Sequence, residues 1–298
     1  RDWRDFYGFR VDTTTPVSTD FLGISRNVEV VENTNDIERT YRGVQFQSQW
    51  RPNLLRGLGL GLNYTWSELK GNDTQESSTS GTVGNDPGTI YYSEFLNYER
   101  RKPIGFLGGD QTHRARAWAS YDFSLGPLGR LNTSLLHNYD SGSPYSLVGS
   151  VRVRGTGTGA PTTPHYINPP TTSTYYFSDR GEFRLEDVHR TDLALNYSFP
   201  IRRVALFAQA EMLNVLNNDT VTSINTTVTT AAQSSSFAAF NPFTTPRENL
   251  IECPQTASLA ECRTMGAHFR KGTLWGQPTG PASYQLARTY RFNVGVRF

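Results

Sequence analysis

The two cysteines are the residues with the most definable chemistry in this chain. Cys253 and Cys262 are the only cysteines among 298 residues, and both lie in the polar, aperiodic stretch IECPQTASLAECRT. A disulfide that closes this small loop, formed in an oxidising compartment, is favoured over two unrelated free thiols. A zinc site is disfavoured, because it needs about four ligands and no histidine lies at a ligand-like spacing.

Charged and amide side chains that alternate along neighbouring segments form a second group. We expect Arg190, Asp192, Gln209 and Glu211 to lie close together across a hairpin at Pro200. Such charges usually pair with one another, which favours a structural network on a wall over direct contact with a ligand.

No arrangement of residues typical of an enzyme is present in the sequence. The five histidines are scattered, there is no HExxH motif, and GSPYS around Ser143 lacks the second glycine of a nucleophile elbow. Prolines follow GTGTGA (155–160), whereas a dinucleotide-binding loop opens a helix. The arginines are dispersed instead of forming a basic stripe. We therefore predict no enzyme activity, no cofactor, no metal and no nucleic-acid partner.

The composition favours a membrane β-barrel over a conventional globular domain. Hydrophobic residues make up 36% of the chain and the mean hydropathy is -0.52, yet aromatic residues reach 12% and the net charge is only +2. No stretch approaches the roughly 20 apolar residues of a membrane helix. Weak overall hydropathy with strong local alternation is typical of a membrane barrel, because only half of each strand faces lipid.

Alternation with a period of two predicts an all-β chain with about eight long antiparallel strands. In GLGLGLNYTWSEL (57–69), leucines, Tyr64 and Trp66 share one face, while glycines and polar residues share the other. After Met212 the parity is lost, and a bulge would fit there. The other predicted strands are a truncated one in RDWRDFYGFRV, then RTYRGVQFQSQWR, HRARAWASYDF, LNTSLLHNY, RTDLALNYSF, RVALFAQAEM and about 283–298.

Short and long connections alternate along this predicted meander. The short ones lie near Pro52, at 126–129 and at 200–202, and the long polar ones span roughly 13–38, 70–111, 140–186 and 218–282. All short turns then lie at one end of the sheet and all long loops at the other, as in outer-membrane barrels.

Aromatic residues and histidines near strand ends predict an interfacial girdle, with His113 and His137 at the level of the lipid headgroups. Aromatic residues in the loops are candidates either for stacking on a ligand or for packing within the loops. These are Tyr91, Tyr92, Tyr175, Tyr176 and Trp275.

The chain ends in TYRFNVGVRF, in which every second residue is apolar or aromatic. In a barrel these side chains face lipid, and the strand must pair with another strand to remove its edge. The residues are Tyr290, Phe292, Val294, Val296 and Phe298.

This terminal stripe resembles the assembly signal of bacterial outer-membrane barrels. AEMLNVLN (210–217) resembles a segment in the penultimate strand of TonB-dependent transporters, and TYRGVQFQSQW (40–50) is similar to one of their strand starts, with Gln45 in place of the usual acid. SGSPYS and RTDLALNYSFP also look like recurring pieces of that family, and the combination resembles its Oar-like branch. The resemblance implies a barrel of about 22 strands, an N-terminal plug and a segment that contacts TonB.

From this resemblance we expect residues 1–298 to be the C-terminal portion of such a barrel, without the plug and the earlier strands. The expected location is the outer membrane of a Gram-negative bacterium, and the expected function is active transport of an unidentified substrate. Expected partners are outer-membrane lipids, the barrel-assembly machinery and TonB, through the absent plug.

Two alternatives stay open. One is a complete eight-stranded barrel that acts as an adhesin or structural anchor. The other is an outer-membrane enzyme, which would need a nucleophile–base pair. If the transporter hypothesis holds, the sheet is open and its first and last strands do not pair.

Overall fold

The structure, a computed structural model, describes residues 38–298 except 54, 73–102, 153–171, 202–203 and 243, together with the backbone of 3–5, 8–12 and 30–34. The strands are β1 (Trp3–Asp5), β2 (Gly8–Asp12), β3 (Val30–Thr34), β4 (Arg39–Trp50), β5 (Leu58–Gly71), β6 (Gly105–Phe106), β7 (His113–Ser124), β8 (Arg130–Asp140), β9 (Pro144–Tyr145), β10 (Val148–Arg152), β11 (Thr172–Tyr176), β12 (Phe183–Arg184), β13 (Val188–Ile201), β14 (Val204–Leu213), β15 (Val228–Thr230), β16 (Phe269–Lys271) and β17 (Thr289–Arg297). The helical segments are α1 (Leu259–Thr264) and 3-10 turns at Gly126–Leu128, Arg247–Asn249 and Pro281–Ser283.

One large antiparallel sheet dominates the fold. Its strand order is β1-β4-β5-β7-β8-β13-β14-β17, and β6 adds a ninth strand beside the loop end of β5. The predicted all-β meander of about eight strands is confirmed, with long connections at one end and short turns at the other. In the described part of the chain β1 and β17 stand at opposite edges of the order, so the sheet is open as expected.

Three boundaries differ from the sequence prediction. The opening RDWRDFYGFRV forms two short strands instead of one, since β1 pairs with β4 while β2 pairs with β3. The last strand begins at Thr289 instead of about Ser283, because a 3-10 turn occupies Pro281–Ser283. The parity break after Met212 is the end of β14 and not a bulge, because Asn214 has a φ of 52 and leaves the extended region.

The buried core of the protein lies in the loops and not against the sheet. No hydrophobic side chain of β4, β5, β7, β8, β13, β14 or β17 is buried in the described residues. The buried hydrophobic residues are Leu107, Leu147, Val151, Tyr175, Phe177, Val228, Phe237, Phe240, Cys253, Cys262, Ala267 and Phe269. All of them belong to long connections, which contain the small sheets β10–β11, β15–β16 and β9–β12.

Two glycines in the turn between β7 and β8 provide a matched pair for testing this geometry. Gly126 has a φ of 60 and Gly129 a φ of 96, so a side chain is strained at either position. A Cβ on Gly126 would meet open space, whereas a Cβ on Gly129 would collide with the Ser198 carbonyl oxygen on β13.

We predict that Gly126→Ala lowers the free energy of unfolding by about 1 kcal/mol, from the left-handed conformation alone. Gly129→Ala should cost about 3 kcal/mol, because the backbone of β13 must also move. Urea unfolding in detergent micelles measures both. Equal losses for the two variants would contradict the register of this turn.

Candidate functional site

One face of the large sheet is apolar from edge to edge. Residues that lie opposite one another on neighbouring strands of this face are all apolar or aromatic along one row. That row is Leu60, Ala119, Leu135, Leu193, Met212 and Tyr290. We call this the apolar face. On the central strands, Leu135 is 43% exposed and Leu195 is 38% exposed. An apolar surface this wide is far beyond what monomeric soluble proteins leave in water.

Aromatic and histidine side chains border the apolar face at both ends. Tyr64, Trp66, His113, Tyr139 and His189 lie at the loop end, and Trp50, Tyr121, Phe123, Tyr197 and Phe199 lie at the turn end. The distance along β7 from His113 to Tyr121 and Phe123, at the turn end, is about 30 Å at about 3.4 Å per residue. With a tilt of about 40° this gives a band about 23 Å tall, close to the roughly 25 Å of outer-membrane barrels.

The histidines of the loop end are hydrogen-bonded within this border. Tyr64 Oη lies 2.8 Å from His113 Nδ1, and Thr191 Oγ1 lies 2.9 Å from His137 Nδ1. The His189 ring packs against Tyr139 with centroids 4.9 Å apart. His113 and His137 thus lie on the face and at the strand end that the alternation predicts.

The terminal stripe belongs to the apolar face. Tyr290, Phe292, Val294 and Val296 lie opposite Met212, Ala210, Ala208 and Leu206 on β14. All four, and Phe298 after them, are exposed. The stripe is exposed, and both its contact with lipid and its role as an assembly signal stay predictions.

The opposite face is polar, and its side chains form two rows across the strands. The upper polar row is Gln47, Asn63, Arg116, Asn138 and Arg190, and the lower polar row is Asp122, Asn132, Asn196, Gln209 and Asn293. We call this surface the polar face. It is internally bonded: Arg116 Nη2 donates to both oxygens of Asp140 at 2.8 Å, and Asn132 Nδ2 donates to Asp122 at 2.7 Å.

The four residues expected to cluster near Pro200 form two separate pairs. Arg190 Nε donates to Asp192 Oδ2 at 3.0 Å, and Gln209 Nε2 donates to Glu211 Oε1 at 2.6 Å. Each pair runs along its own strand. Asp192 and Glu211 are nevertheless both among the residues that line one pocket of about 420 Å³ on the polar face.

At the loop end, Asn214 joins three segments of the chain. Its side chain is 1% exposed, and its Nδ2 donates to the carbonyl oxygens of Asn218 and Leu286 at 2.8 and 2.9 Å. Its backbone N–H donates to Asp192 Oδ1 at 2.9 Å, and its Oδ1 accepts from the Asn218 N–H at 3.0 Å. This residue, the first asparagine of NVLN, therefore fixes the rim between β13, β14 and the approach to β17.

A second rim connection was not predicted from the sequence. Asp110 is 1% exposed, and its Oδ2 accepts from Arg184 Nη2 at 2.7 Å while its Oδ1 accepts from the Leu69 N–H at 2.7 Å. Arg184 also packs over the Phe106 ring. Asp110 lies in a polar loop without periodicity, so no pattern in the sequence distinguished it from a solvated turn residue.

The described parts of 141–187 and 214–288 pack together, and we call this unit the loop assembly. Its core joins Val151 and Phe177 from the first connection to Phe240 and Phe269 from the second. The rings of Phe177 and Phe269 stack with centroids 4.1 Å apart. The two long loops therefore form one packed body over the loop end of the sheet.

The disulfide lies inside the loop assembly. Cys253 Sγ and Cys262 Sγ are 2.02 Å apart, and both residues are fully buried beside Phe237 and Ala267. Ser258 and Glu261 cap the N-terminus of α1, the helix that carries Cys262. The Ser258 side chain accepts from the Glu261 N–H, and the Glu261 side chain accepts from the Ser258 N–H. The hydrogen bond from the Ser258 N–H lowers the pKa of the Glu261 carboxyl, because it stabilises the charged form.

The loop aromatics mainly pack on one another. Tyr175 is fully buried in the core of the loop assembly, and Trp275 packs against Tyr145 and Phe183. Arg180 lies over the Tyr176 ring. Packing within the loops, the alternative to ligand stacking, accounts for Tyr175 and Trp275. Tyr91 and Tyr92 lie outside the described residues.

His268 is a titratable residue of the loop assembly whose burial affects its pKa. Its Nδ1 accepts a hydrogen bond from the Ile251 N–H at 3.0 Å, and its ring meets the Phe240 ring edge-on. Burial lowers the pKa of His268 from its ordinary 6.5. The loop assembly therefore holds this imidazole in its neutral form.

Within the ranges described above, no three His, Cys, Asp or Glu side chains are placed to hold a metal ion. No helix in that part of the chain is long and apolar enough to cross a membrane.

Comparison with known proteins identifies no family. No protein-family model and no curated protein matches the chain. Among solved structures, the outer membrane transporter YddB from Escherichia coli aligns with 76% of this chain at 13% identity and a TM-score of 0.41. The chain spans only 26% of that transporter, and a match this distant carries no further conclusion.

The role of Asn214 predicts a large difference between two asparagines with similar backbones. Asn217 also has a positive φ, but its side chain accepts a single bond from the Arg288 N–H. Asn214→Ala should lower the free energy of unfolding by about 3 kcal/mol and Asn217→Ala by about 1 kcal/mol. Urea unfolding measures both, and equal effects would contradict the rim connection.

His268 predicts that the loop assembly loosens in acid. Because its pKa is lower in the folded state, the unfolded state binds more protons, so stability falls as pH drops below about 6.5 towards the folded pKa. The protection factors of the Ile251 and Cys253 amides, which are the exchange rates corrected for the intrinsic rate at each pH, should fall between pH 7 and pH 5, and His268→Gln should reduce that fall. His137→Gln, on the sheet, is the control. An unchanged pH response in His268→Gln would contradict this origin.

Proposed function

We propose that this chain forms part of the wall of a transmembrane β-barrel in a Gram-negative outer membrane, where it serves TonB-dependent transport. The observation that carries the proposal is the apolar face, which is bordered by aromatic residues at both ends and has no protein layer over it in the described residues. A lipid bilayer can cover an apolar face of this kind without a second layer of protein.

The edges of the sheet support a wall larger than these strands. β17 pairs with β14 on one side, and its other edge carries backbone groups that no strand of the described chain satisfies. In hydrocarbon each unpaired backbone group costs several kcal/mol, so spanning sheets must close. We propose that further strands pair with β17 and β1, and that the terminal stripe is read by the barrel-assembly machinery.

In the proposed transporter, the polar face and the loops have separate roles. In a closed wall the polar face lines the interior, and the loop assembly covers the external mouth. The NVLN segment and the terminal stripe resemble TonB-dependent transporters, which supports energy coupling through a plug that these residues do not include. The proposal assigns no catalytic step to this chain, and it leaves the substrate unidentified.

Adjacent residues on opposite faces of β13 test the membrane assignment. Leu195 lies at mid-strand on the apolar face and Asn196 lies on the polar face. Leu195→Arg should destabilise the protein in lipid vesicles by about 2–4 kcal/mol, because Arg is placed at the bilayer midplane. Asn196→Arg should change the free energy of unfolding by less than about 1 kcal/mol.

Both variants are followed by urea unfolding in vesicles and by recovery in the outer-membrane fraction. An Asn196→Arg defect as large as that of Leu195→Arg would contradict the assignment of lipid to the apolar face.

The smaller alternative, a complete eight-stranded barrel used as an adhesin or anchor, requires β1 to pair with β17. The register places position 5 of β1 on the polar face, the face that carries Thr289, Arg291 and Asn293 of β17. Asp5→Cys combined with Thr289→Cys, Arg291→Cys or Asn293→Cys should then give a cross-link between the two strands in the assembled protein. We predict no cross-link between them, and a strong cross-link in the control pair Gln209→Cys and Asn293→Cys, which face each other across β14 and β17. A cross-link between β1 and β17 would favour the small barrel and overturn the transporter proposal.

A further inference from the structure

A pocket of about 420 Å³ opens on the polar face at mid-height. Its floor is the row Ser120, Ser134 and Ala194, and these small side chains leave the space. The row Trp118, Leu136 and Asp192 lies on one side of the floor, and Glu211 continues the floor row on β14. Leu213 completes this part of the lining. The volume falls in the range of about 300–1,000 Å³ that is typical of small-molecule sites.

Trp118 is a fixed aromatic wall of this pocket. It lies opposite Gly61 on β5, and any Cβ at Gly61 would collide with the indole ring. The indole therefore rests on the glycine backbone, and the missing side chain gives the ring its position. Trp118 remains half-buried and is one of the residues that line the pocket.

The two acidic residues of the pocket differ in their partners, since Asp192 forms an ion pair and Glu211 accepts from a neutral amide. Asp192 accepts from Arg190 Nε at 3.0 Å and from the Asn214 N–H at 2.9 Å. Glu211 accepts from Gln209 Nε2 through Oε1 at 2.6 Å and faces Arg291 directly across β14 and β17. The ion pair with Arg190 offsets the charge of Asp192, which leaves Glu211 as an acceptor for a hydroxyl group of a ligand. An apolar ligand would leave the Glu211 carboxylate without water.

We propose that this pocket binds one ring of a neutral, hydroxyl-rich ligand, such as a hexose unit of an oligosaccharide. This inference rests on the proposed function, in which the polar face lines the transport route. The C–H edges of the sugar ring carry positive charge density and pack on the negative face of the Trp118 indole. Ligand hydroxyl groups donate to the carboxylate of Glu211, and the hydroxyls of Ser120 and Ser134 are within the same lining.

The experiment measures binding of maltotriose, cellotriose and raffinose to the full-length protein by isothermal titration calorimetry. The detergent is lauryldimethylamine oxide, which has no sugar headgroup to compete. At least one of the three sugars should bind, and trilysine and citrate should not. Failure of all three sugars, or binding of trilysine in their place, overturns the proposal.

Four variants locate the site. Trp118→Ala and Glu211→Ala should each weaken binding of the sugar about tenfold, which corresponds to about 1.4 kcal/mol. Glu211→Gln keeps a hydrogen-bonding oxygen and should stay within about threefold of the parent protein, whereas a site for cations would lose its ligand. Trp66→Ala, on the apolar face, is the matched control and should leave the affinity unchanged.

Ala194→Leu fills the floor of the pocket without touching Trp118, and it should abolish binding. Folding of every variant is checked by the shift in gel mobility between unheated and heated samples. Sugar binding that Trp118→Ala and Ala194→Leu both leave intact in folded protein overturns this site, while recovery in the outer-membrane fraction tests the proposed function separately.

Discussion

An antiparallel sheet with one apolar face must remove that face from water, and this constraint governs the rest of the molecule. Sandwiches do so with a second sheet and α/β folds with helices. Here no hydrophobic side chain on the long strands is buried, although leucines, valines and aromatics line one face throughout. Each such side chain gains about 1.5–3 kcal/mol when an apolar environment replaces water. A lipid bilayer supplies that environment, and the aromatic borders mark where it would end.

The same constraint separates the sheet from its loops. In the proposed membrane setting the sheet needs no buried core, and the buried residues stabilise the loops. The loop assembly contains them: stacked rings of Phe177 and Phe269, the buried Tyr175 and the disulfide between Cys253 and Cys262. Asn214 and Asp110 then attach this body to the rim through buried hydrogen bonds to backbone groups of several segments. The loop assembly is thus a packed body on the rim of the sheet.

Much of the sheet could be predicted because the alternation of apolar and polar residues is visible within each strand. Alternation along Leu58–Gly71 and Thr289–Arg297 assigns faces without knowledge of the neighbours. The loop interior could not be predicted in the same way, since Phe177 and Phe269 meet across about ninety residues of sequence. The Trp118 pocket also depends on register: only pairing of β5 with β7 places Gly61 under the indole. The end of β14 could not be told from a bulge, because loss of alternation after Met212 fits both and the positive φ of Asn214 leaves no distinct mark in the sequence.

Contact between the apolar face and lipid is the central claim, and quenching of single tryptophans by brominated phospholipids tests it most directly. Trp66 lies on the apolar face and Trp118 on the polar face, and they are on neighbouring strands. Variants that keep only one of these tryptophans, reconstituted into vesicles with bromine in the acyl chains, compare the two faces in one bilayer. We expect strong quenching of Trp66 and little quenching of Trp118. Equal quenching of both, or quenching of Trp118 alone, would contradict it.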